Sequence, residues 1–144
     1  IGLYHASPRD PVWEYVLSAL LAEMCLDAAA ERIALIGHSH VALSFDRREG
    51  DIATGERRVG CDTAELVVGE WPVNPGSVGL AYDHAQPDGD DLRIDAIAEY
   101  AWIDVDGDCL EIAFRRVPLH RAAVLAAIEA SGMPHADHLR AAWR

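Results

Sequence analysis

Residues 32–46 read RIALIGHSHVALSFD, and the main features of the architecture follow from this stretch. Its first part, IALIG at 33–37, is a continuous apolar run that fits a strand buried on both faces. Its last part, VALSF at 41–45, alternates between apolar and polar residues and fits a second strand. Between them stand His38 and His40, separated by one serine. The segment therefore predicts a buried strand that ends at a glycine and presents two imidazoles beyond its end.

The rest of the chain alternates strand and helix patterns. Residues 1–5, IGLYH, resemble the second half of a strand, so we expect the chain to be part of something longer. Apolar residues at three-to-four spacing over 12–28 predict one or two helices, with Asp10 as the cap and Pro11 in the first turn. The remaining predictions are a turn-rich hairpin region at 46–62, a strand at 64–69, a shaped loop at 70–79, two strands within 93–117 around a turn at 104–108, and helices at 120–132 and 135–143. This order predicts an α/β (α+β) sandwich with mixed β-sheets.

Length and charge limit the classes of function. The 144 residues suit one domain, and an apolar fraction of 51% supplies a substantial core. The formal net charge is −12, from 24 acidic and 12 basic residues. A chain with this charge repels a phosphate backbone, so nucleic acid is not the expected partner. A small phosphorylated substrate stays compatible with it if a divalent metal provides local positive charge.

Cysteine usage and hydropathy indicate the compartment. Cys25, Cys61 and Cys109 are far apart and have no CxxC spacing, which favours reduced thiols over a disulfide framework or a zinc ribbon. No apolar run approaches the ~18 residues that a membrane helix needs, and the first residues lack the pattern of a signal peptide. We therefore expect a soluble, cytoplasmic protein without a membrane partner.

The histidines are the residues most typical of a reactive site. His5 closes the apolar run IGLY, and His38 follows the run IALIG, so both lie where α/β sheets collect ligands. Imidazole is a common ligand for zinc, iron and nickel. The His-x-His spacing suits either one metal or two metals ~3.5–4 Å apart, or simply two histidines in a polar pocket. The other four histidines receive no site role: His84, which lies in the loop at 80–92, and His120, His135 and His138 on or beside the C-terminal helices.

Three ordered motifs extend these observations to a family. LYHASPRDPVWEYV, GHSH and VNPGSVG follow one another in that order, and RRVPLHRAAVLAAIEASGMP adds a strand and a helix. Together they resemble the C-terminal half of the calcineurin-like metallophosphoesterases, in the small bacterial and archaeal phosphodiesterase branch. The resemblance implies a partial four-layer αββα sandwich in which residues 1–144 are the C-terminal portion of a single domain and the N-terminal half is absent.

The same resemblance implies roles for individual residues. It makes His5 and His38 ligands of one metal ion and His40 a ligand of a second. The implied cofactors are two divalent ions of Mn, Ni, Fe or Zn, which bridge a hydroxide that attacks a phosphodiester or phosphomonoester of small size. The residues expected to support the site structurally are Gly37, Asn74, Gly76 and Ser77, with Gly76 allowing close backbone approach.

Part of the family pattern has no counterpart in this chain. The Asp-x-His element, the bridging aspartate and the Gly-Asn-His element are missing. Three imidazoles cannot hold two cations close together without oxygen ligands, so the chain is expected to carry half an active site. Two alternatives stay open: a non-catalytic, truncated member that acts as a metal-binding or protein-assembly module, and a protein that binds a single metal. The partner would be a second copy of the chain or a complementary N-terminal half.

Overall fold

The computed structural model describes residues 1–47, 54–57, 63–67, 71–81, 93–106 and 109–143. The elements in chain order are β1 (Gly2–Leu3), α1 (Ala19–Ala28), β2 (Ile33–Leu35), β3 (Leu43–Asp46), β4 (Thr54–Arg57), β5 (Thr63–Val67), β6 (Trp71–Asn74), β7 (Ile97–Asp106), β8 (Cys109–Pro118), α2 (Arg121–Ala130) and α3 (Ala136–Ala142). His84 and the last residues of the turn predicted at 104–108 lie outside the described residues, as does most of the hairpin region predicted at 46–62.

The strands form two sheets. The first has the order β1-β2-β6-β3-β4, in which β1 and β6 both run parallel to β2 while β3 runs antiparallel to β6. The second has the order β5-β8-β7 and is antiparallel throughout. Strands β7 and β8 pair along their whole length, from Ile97 opposite Pro118 to Asp106 opposite Cys109. The predicted mixed α/β architecture is confirmed.

Strand β2 holds the layers together because both of its faces are covered. Ala34 points into a cluster with Ala22 and Cys25 of α1, so the helix covers one face of the first sheet. Ile33 and Leu35 point the other way, into a cluster that includes β8 of the second sheet. This alternation is the period of two that a strand imposes on its side chains. The prediction for this apolar run was a strand buried on both faces. The structure has a strand at Ile33–Leu35 that is covered on both faces, with Ala34 buried and Ile33 and Leu35 half-buried.

Helices α2 and α3 form a third cluster with the chain that precedes β7. Ile128 of α2 and Trp143 after α3 pack around Ile94. The His120 ring accepts a hydrogen bond from the Ala123 amide and so caps α2, as a polar side chain at this position commonly does. None of the three described helices, of 10, 10 and 7 residues, is long and apolar enough to cross a bilayer.

Two local predictions are wrong. The segment 70–79 was expected to be a loop throughout, yet β6 lies inside it. Its pairing with β3 begins at Val73, one residue beyond Pro72, which has no amide to donate to that neighbour. The helix predicted from residue 12 begins only at Ala19, where Ser18 accepts a hydrogen bond from the third residue of α1. Before it, the Asp10 carboxylate caps a single turn that does not continue.

Strand β1 lies at the edge of the first sheet and is held beyond its two residues by neighbouring contacts. The Tyr4 amide donates to the Leu35 carbonyl at 2.9 Å, which continues the pairing with β2. The Tyr4 hydroxyl donates to Glu31 at 2.8 Å, and this hydrogen bond, with burial, raises the pKa of the phenol. A Cβ at Gly2 would come within 3.0 Å of both side chains, so a larger residue there would displace them.

The buried thiol of Cys25 offers a direct measure of how tightly α1 is packed. Cys25 is fully buried and free, and burial raises its pKa to about 11, with the Glu14 carboxylate adding to the shift and Arg9 opposing it. In a background where Cys61 and Cys109 are serine, we expect a disulfide reagent at about pH 8 to label Cys25 only through unfolding. Denaturant must then accelerate the reaction. Labelling at the rate of a free thiol in water would contradict this packing.

The same thiol predicts a dependence of stability on pH. The folded-state pKa of about 11 lies above the ordinary value of 9.0, so unfolding releases a proton at alkaline pH. The contribution is complete below the unfolded pKa and is lost as pH rises through the folded one. We therefore expect the free energy of unfolding to fall between these values, and Cys25→Ala to reduce that slope in urea titrations.

Candidate functional site

The candidate site lies at the carboxyl end of three parallel strands. Strands β1, β2 and β6 are adjacent and point the same way, so the residues that follow them meet at one edge of the sheet. His5 follows β1, the residues Gly37 to His40 follow β2, and Asn74 ends β6. Parallel pairing therefore brings together positions that lie up to seventy residues apart in the chain.

His5 and His38 are in direct contact. Nε2 of His5 lies 3.0 Å from Nδ1 of His38, and the two ring centroids are 4.9 Å apart at an interplanar angle of 70°. His5 is exposed and His38 is half-buried. The two nitrogens are at hydrogen-bond distance, which suits one donor and one acceptor.

The loop after β2 holds an unusual backbone conformation. His38 and His40 have φ values of 63° and 57°, in the left-handed region that residues other than glycine seldom occupy. The Ser39 amide donates to the Gly37 carbonyl at 2.7 Å and closes a three-residue turn around His38. Two left-handed histidines in one short loop cost roughly 1–3 kcal/mol each, so the surrounding contacts must impose this shape.

Gly37 joins the two histidine-bearing segments. Its amide donates to the His5 carbonyl at 2.9 Å, one hydrogen bond beyond the paired residues of β1 and β2. A Cβ at this position would lie 3.1 Å from the same carbonyl oxygen, closer than side chains normally approach. The glycine thus lets the two segments stay adjacent after their strands have ended.

Asn74 fixes the loop from beneath. Its side chain is fully buried, and its Nδ2 donates to the Gly37 carbonyl at 2.8 Å and to the Ser39 hydroxyl at 2.9 Å. Its Oδ1 accepts from the Gly76 amide at 3.0 Å. One amide side chain therefore connects the histidine loop to the turn that follows β6.

That turn is packed against the second sheet. Gly76 has a φ of 98°, and a Cβ there would overlap the Glu99 side chain. Glu99 is buried on β7, where it accepts a hydrogen bond from Arg116 at 2.5 Å, and its amide donates to the Ser77 carbonyl at 2.8 Å. The support of the site therefore extends across both sheets.

Two aromatic rings border the histidine pair. The Tyr15 ring lies 4.3 Å from the His38 ring, and the Trp13 ring lies 6.3 Å from it in an edge-on arrangement. Sequence reasoning placed both residues on a helix and assigned them no part in the site. The signal available in the sequence was Asp10 followed by Pro11, which indicates a capped turn as readily as the start of a helix.

The predicted metal ligands are only partly assembled by the described chain. Two of them, His5 and His38, are adjacent, and His40 lies on the same loop. Within the part of the chain that the structure describes, no group of three or more His, Cys, Asp or Glu side chains is placed to hold a metal ion. His84 falls outside those ranges.

The histidine pair nevertheless fits a metal. Two nitrogen ligands bound at about 2.1 Å and at right angles to each other lie about 3.0 Å apart, which is the separation of the two nitrogens here. The Nε2 atom of His38 is buried and has no hydrogen-bond partner among the described residues. A histidine that ligates a metal normally donates a hydrogen bond from its other ring nitrogen. The free Nε2 of His38 therefore leaves room for an acceptor outside the described residues.

No protein-family model and no curated protein matches this chain. It is similar to a crystal structure of a metallophosphoesterase from Sphaerobacter thermophilus, with a TM-score of 0.77 and 27% sequence identity. The similarity covers 97% of this chain and 54% of that chain, so this chain spans about half the length of the protein it matches. The fold is that of a metallophosphoesterase fragment, in keeping with a C-terminal half, and the resemblance predicted from the sequence is confirmed.

The turn after β6 provides a matched pair of glycine substitutions. Gly76→Ala forces a left-handed alanine against Glu99, whereas a Cβ at Gly79 meets nothing within 4 Å. We expect Gly76→Ala to lower the free energy of unfolding by roughly 1–3 kcal/mol and Gly79→Ala to change it by less than about 0.5 kcal/mol. Urea denaturation measures both. Equal effects would show that the turn does not depend on this close approach.

Proposed function

We propose that this chain supplies histidine ligands to the dinuclear metal site of a phosphoesterase that acts on a small phosphorylated substrate. The observation that carries the proposal is the 3.0 Å separation of the His5 and His38 nitrogens at the carboxyl end of parallel strands. The metallophosphoesterase fold of the chain supports the same activity. In this proposal His5 and His38 bind one ion and His40 binds the second.

The chain's own residues bind and orient. His5 and His38 offer imidazole nitrogens, and the Gly37–Asn74 hydrogen bond holds the loop in the conformation that directs them. Two divalent ions of Mn, Ni, Fe or Zn would supply Lewis-acid activation of a water molecule and of the phosphoryl group. Local positive charge is also what a chain of net charge −12 needs in order to attract a phosphorylated substrate.

The remaining ligands are assigned to another segment. Two close cations require carboxylate oxygens, and the described residues place no carboxylate in a metal-binding group with the histidines. The metallophosphoesterase that this chain resembles is nearly twice as long as this chain, since the similarity covers only 54% of it. We therefore place the oxygen ligands and the proton donor for the leaving group on a complementary N-terminal half.

The first test measures metal content and the hydrolysis of bis-p-nitrophenyl phosphate. It uses the intact protein, which here means this chain together with the complementary N-terminal half. His38→Ala should remove metal and reduce kcat/KM by at least about a hundredfold, because the lost imidazole touches the ion directly. His138→Ala is the matched control, since this histidine is exposed on α3, and it should leave both quantities unchanged.

Two results would overturn the proposal. One is full metal stoichiometry in His38→Ala, which would remove this imidazole from the ligand set. The other is an intact protein that binds manganese, nickel, iron or zinc and still fails to hydrolyse the phosphodiester or a phosphomonoester such as p-nitrophenyl phosphate.

A second candidate function is a non-catalytic assembly module, and the exposure of β1 favours it. Among the described residues β1 pairs on one side only, with β2, and Ile1 and Leu3 are 57% and 77% exposed. An edge strand with apolar side chains is a template for pairing with another strand. In this function the surface formed by β1 would receive a strand from a second copy of the chain.

The assembly function predicts self-association through β1. Leu3→Lys should lower the association constant at least about tenfold, because a charge would be placed in the paired edge. Met133→Lys, at an exposed residue beyond α2, should not change it. Sedimentation equilibrium measures both variants. A wild-type protein that stays monomeric at all accessible concentrations would exclude a second copy as the partner.

A further inference from the structure

Two exposed aromatic side chains stand beside the histidine pair. Trp13 is 73% exposed and Tyr15 is 52% exposed, although each lies next to the His38 ring. Large aromatic residues usually contribute to a core or an interface, where their area is buried. Rings that are held against an imidazole while their remaining area stays accessible are suited to stacking on a planar ligand.

The backbone that leads to these rings is held by hydrogen bonds in the chain that precedes them. The Ser7 side chain is fully buried, its hydroxyl donates to Glu14, and it accepts hydrogen bonds from the amides of Arg9 and Asp10. The Asp10 carboxylate then accepts from the Trp13 amide at 3.1 Å. The segment at 6–14 is therefore a closely hydrogen-bonded structure, and Trp13 lies at its end.

The rings differ from the other exposed apolar side chains of residues 12–17. Val12 and Leu17 are exposed as well, but neither has a π face. Trp13 and Tyr15 are the two aromatic residues of this stretch, and both rings lie against the His38 ring. The two π faces are therefore concentrated at the imidazole that the proposed function assigns to a metal ion.

We propose that Trp13 and Tyr15 form a stacking site for the nucleobase of a nucleotide substrate whose phosphate lies at His5 and His38. The inference rests on the function proposed above and names its substrate class. In a nucleotide, a single ribose separates the base from its phosphate, and Trp13 and Tyr15 both lie against His38, one of the two imidazoles assigned to the phosphate. Stacking tolerates every base, so the site selects nucleotides over sugar phosphates without selecting one base.

The test compares two ligands that differ only in the base. Binding of adenosine 5′-monophosphate and of ribose 5-phosphate to the intact protein is measured by titration calorimetry with manganese present. Wild-type protein should bind the nucleotide roughly 5- to 100-fold more tightly. Trp13→Ala should remove most of that preference and leave ribose 5-phosphate affinity unchanged, whereas Trp13→Phe should retain most of it.

The matched control is Trp102→Ala. Trp102 is 67% exposed, close to the exposure of Trp13, but lies on β7 of the second sheet. This variant should keep the wild-type preference, and thermal denaturation shows whether either variant has lost its fold. A Trp13→Ala variant that unfolds is replaced in the comparison by Tyr15→Leu, for which the same loss of preference is expected.

The outcomes separate the inference from the proposed function. Tight binding of both ligands with equal affinity in wild-type protein overturns the stacking site and leaves the phosphoesterase intact. A preference for the nucleotide that Trp13→Ala and Tyr15→Leu both keep also overturns it, since the base then lies elsewhere. Binding of neither ligand in the presence of metal counts against the proposed function, and against the stacking site with it.

Discussion

The candidate site depends on the hydrogen bonds that the amide side chain of Asn74 makes. It is buried at the end of β6, where its nitrogen donates to the Gly37 carbonyl and the Ser39 hydroxyl while its oxygen accepts from the Gly76 amide. A buried amide group that loses its hydrogen-bond partners lowers the free energy of unfolding by about 1–3 kcal/mol. We therefore expect the three hydrogen bonds of Asn74 to form and break together. Through them the conformation of the histidine loop is set by the sheet below it, and the sheet is in turn held by the packing of both faces of β2.

That support explains how the loop keeps two histidines in left-handed conformation. The cost of the backbone shape is borne by the fold as a whole, because the turn containing Gly76 is itself packed on Glu99 of the second sheet. The imidazoles are therefore oriented before any ligand arrives. Preorganisation of this kind is what a binding or catalytic site requires of its scaffold, since the ligand then does not have to order the groups that receive it.

The sequence predicted the helices and strands whose formation depends mainly on residues close together in the chain. The continuous apolar run at 33–37, the long hairpin strands and the apolar face of helix α2 are local signals, and the structure has an element at each. Strand β6 was not predicted because a proline normally argues against a strand. Pro72 is tolerated because the pairing with β3 begins one residue later, and this register is not visible in the sequence. The contact between His5 and His38 depends on parallel register between β1 and β2, and the closeness of Gly76 to Glu99 depends on the packing of two sheets. Neither contact is visible in spacing along the chain. The ends of the apolar runs and the motifs identified His5, His38 and Gly76 in advance, whereas nothing in the sequence identified Glu99.

Because β1 lies at the edge of the sheet formed by the described residues, the contact between His5 and His38 can break while the domain stays folded. Only two residues of β1 pair with β2, and beyond them the Tyr4–Leu35 and Gly37–His5 backbone hydrogen bonds hold the segments together. Edge segments of this length open in sub-global fluctuations that leave the core folded. Each such opening would carry His5 away from His38 while every buried cluster stayed intact. The contact between His5 and His38 would thus break more often than the fold, and a partner that covers β1 would prolong it.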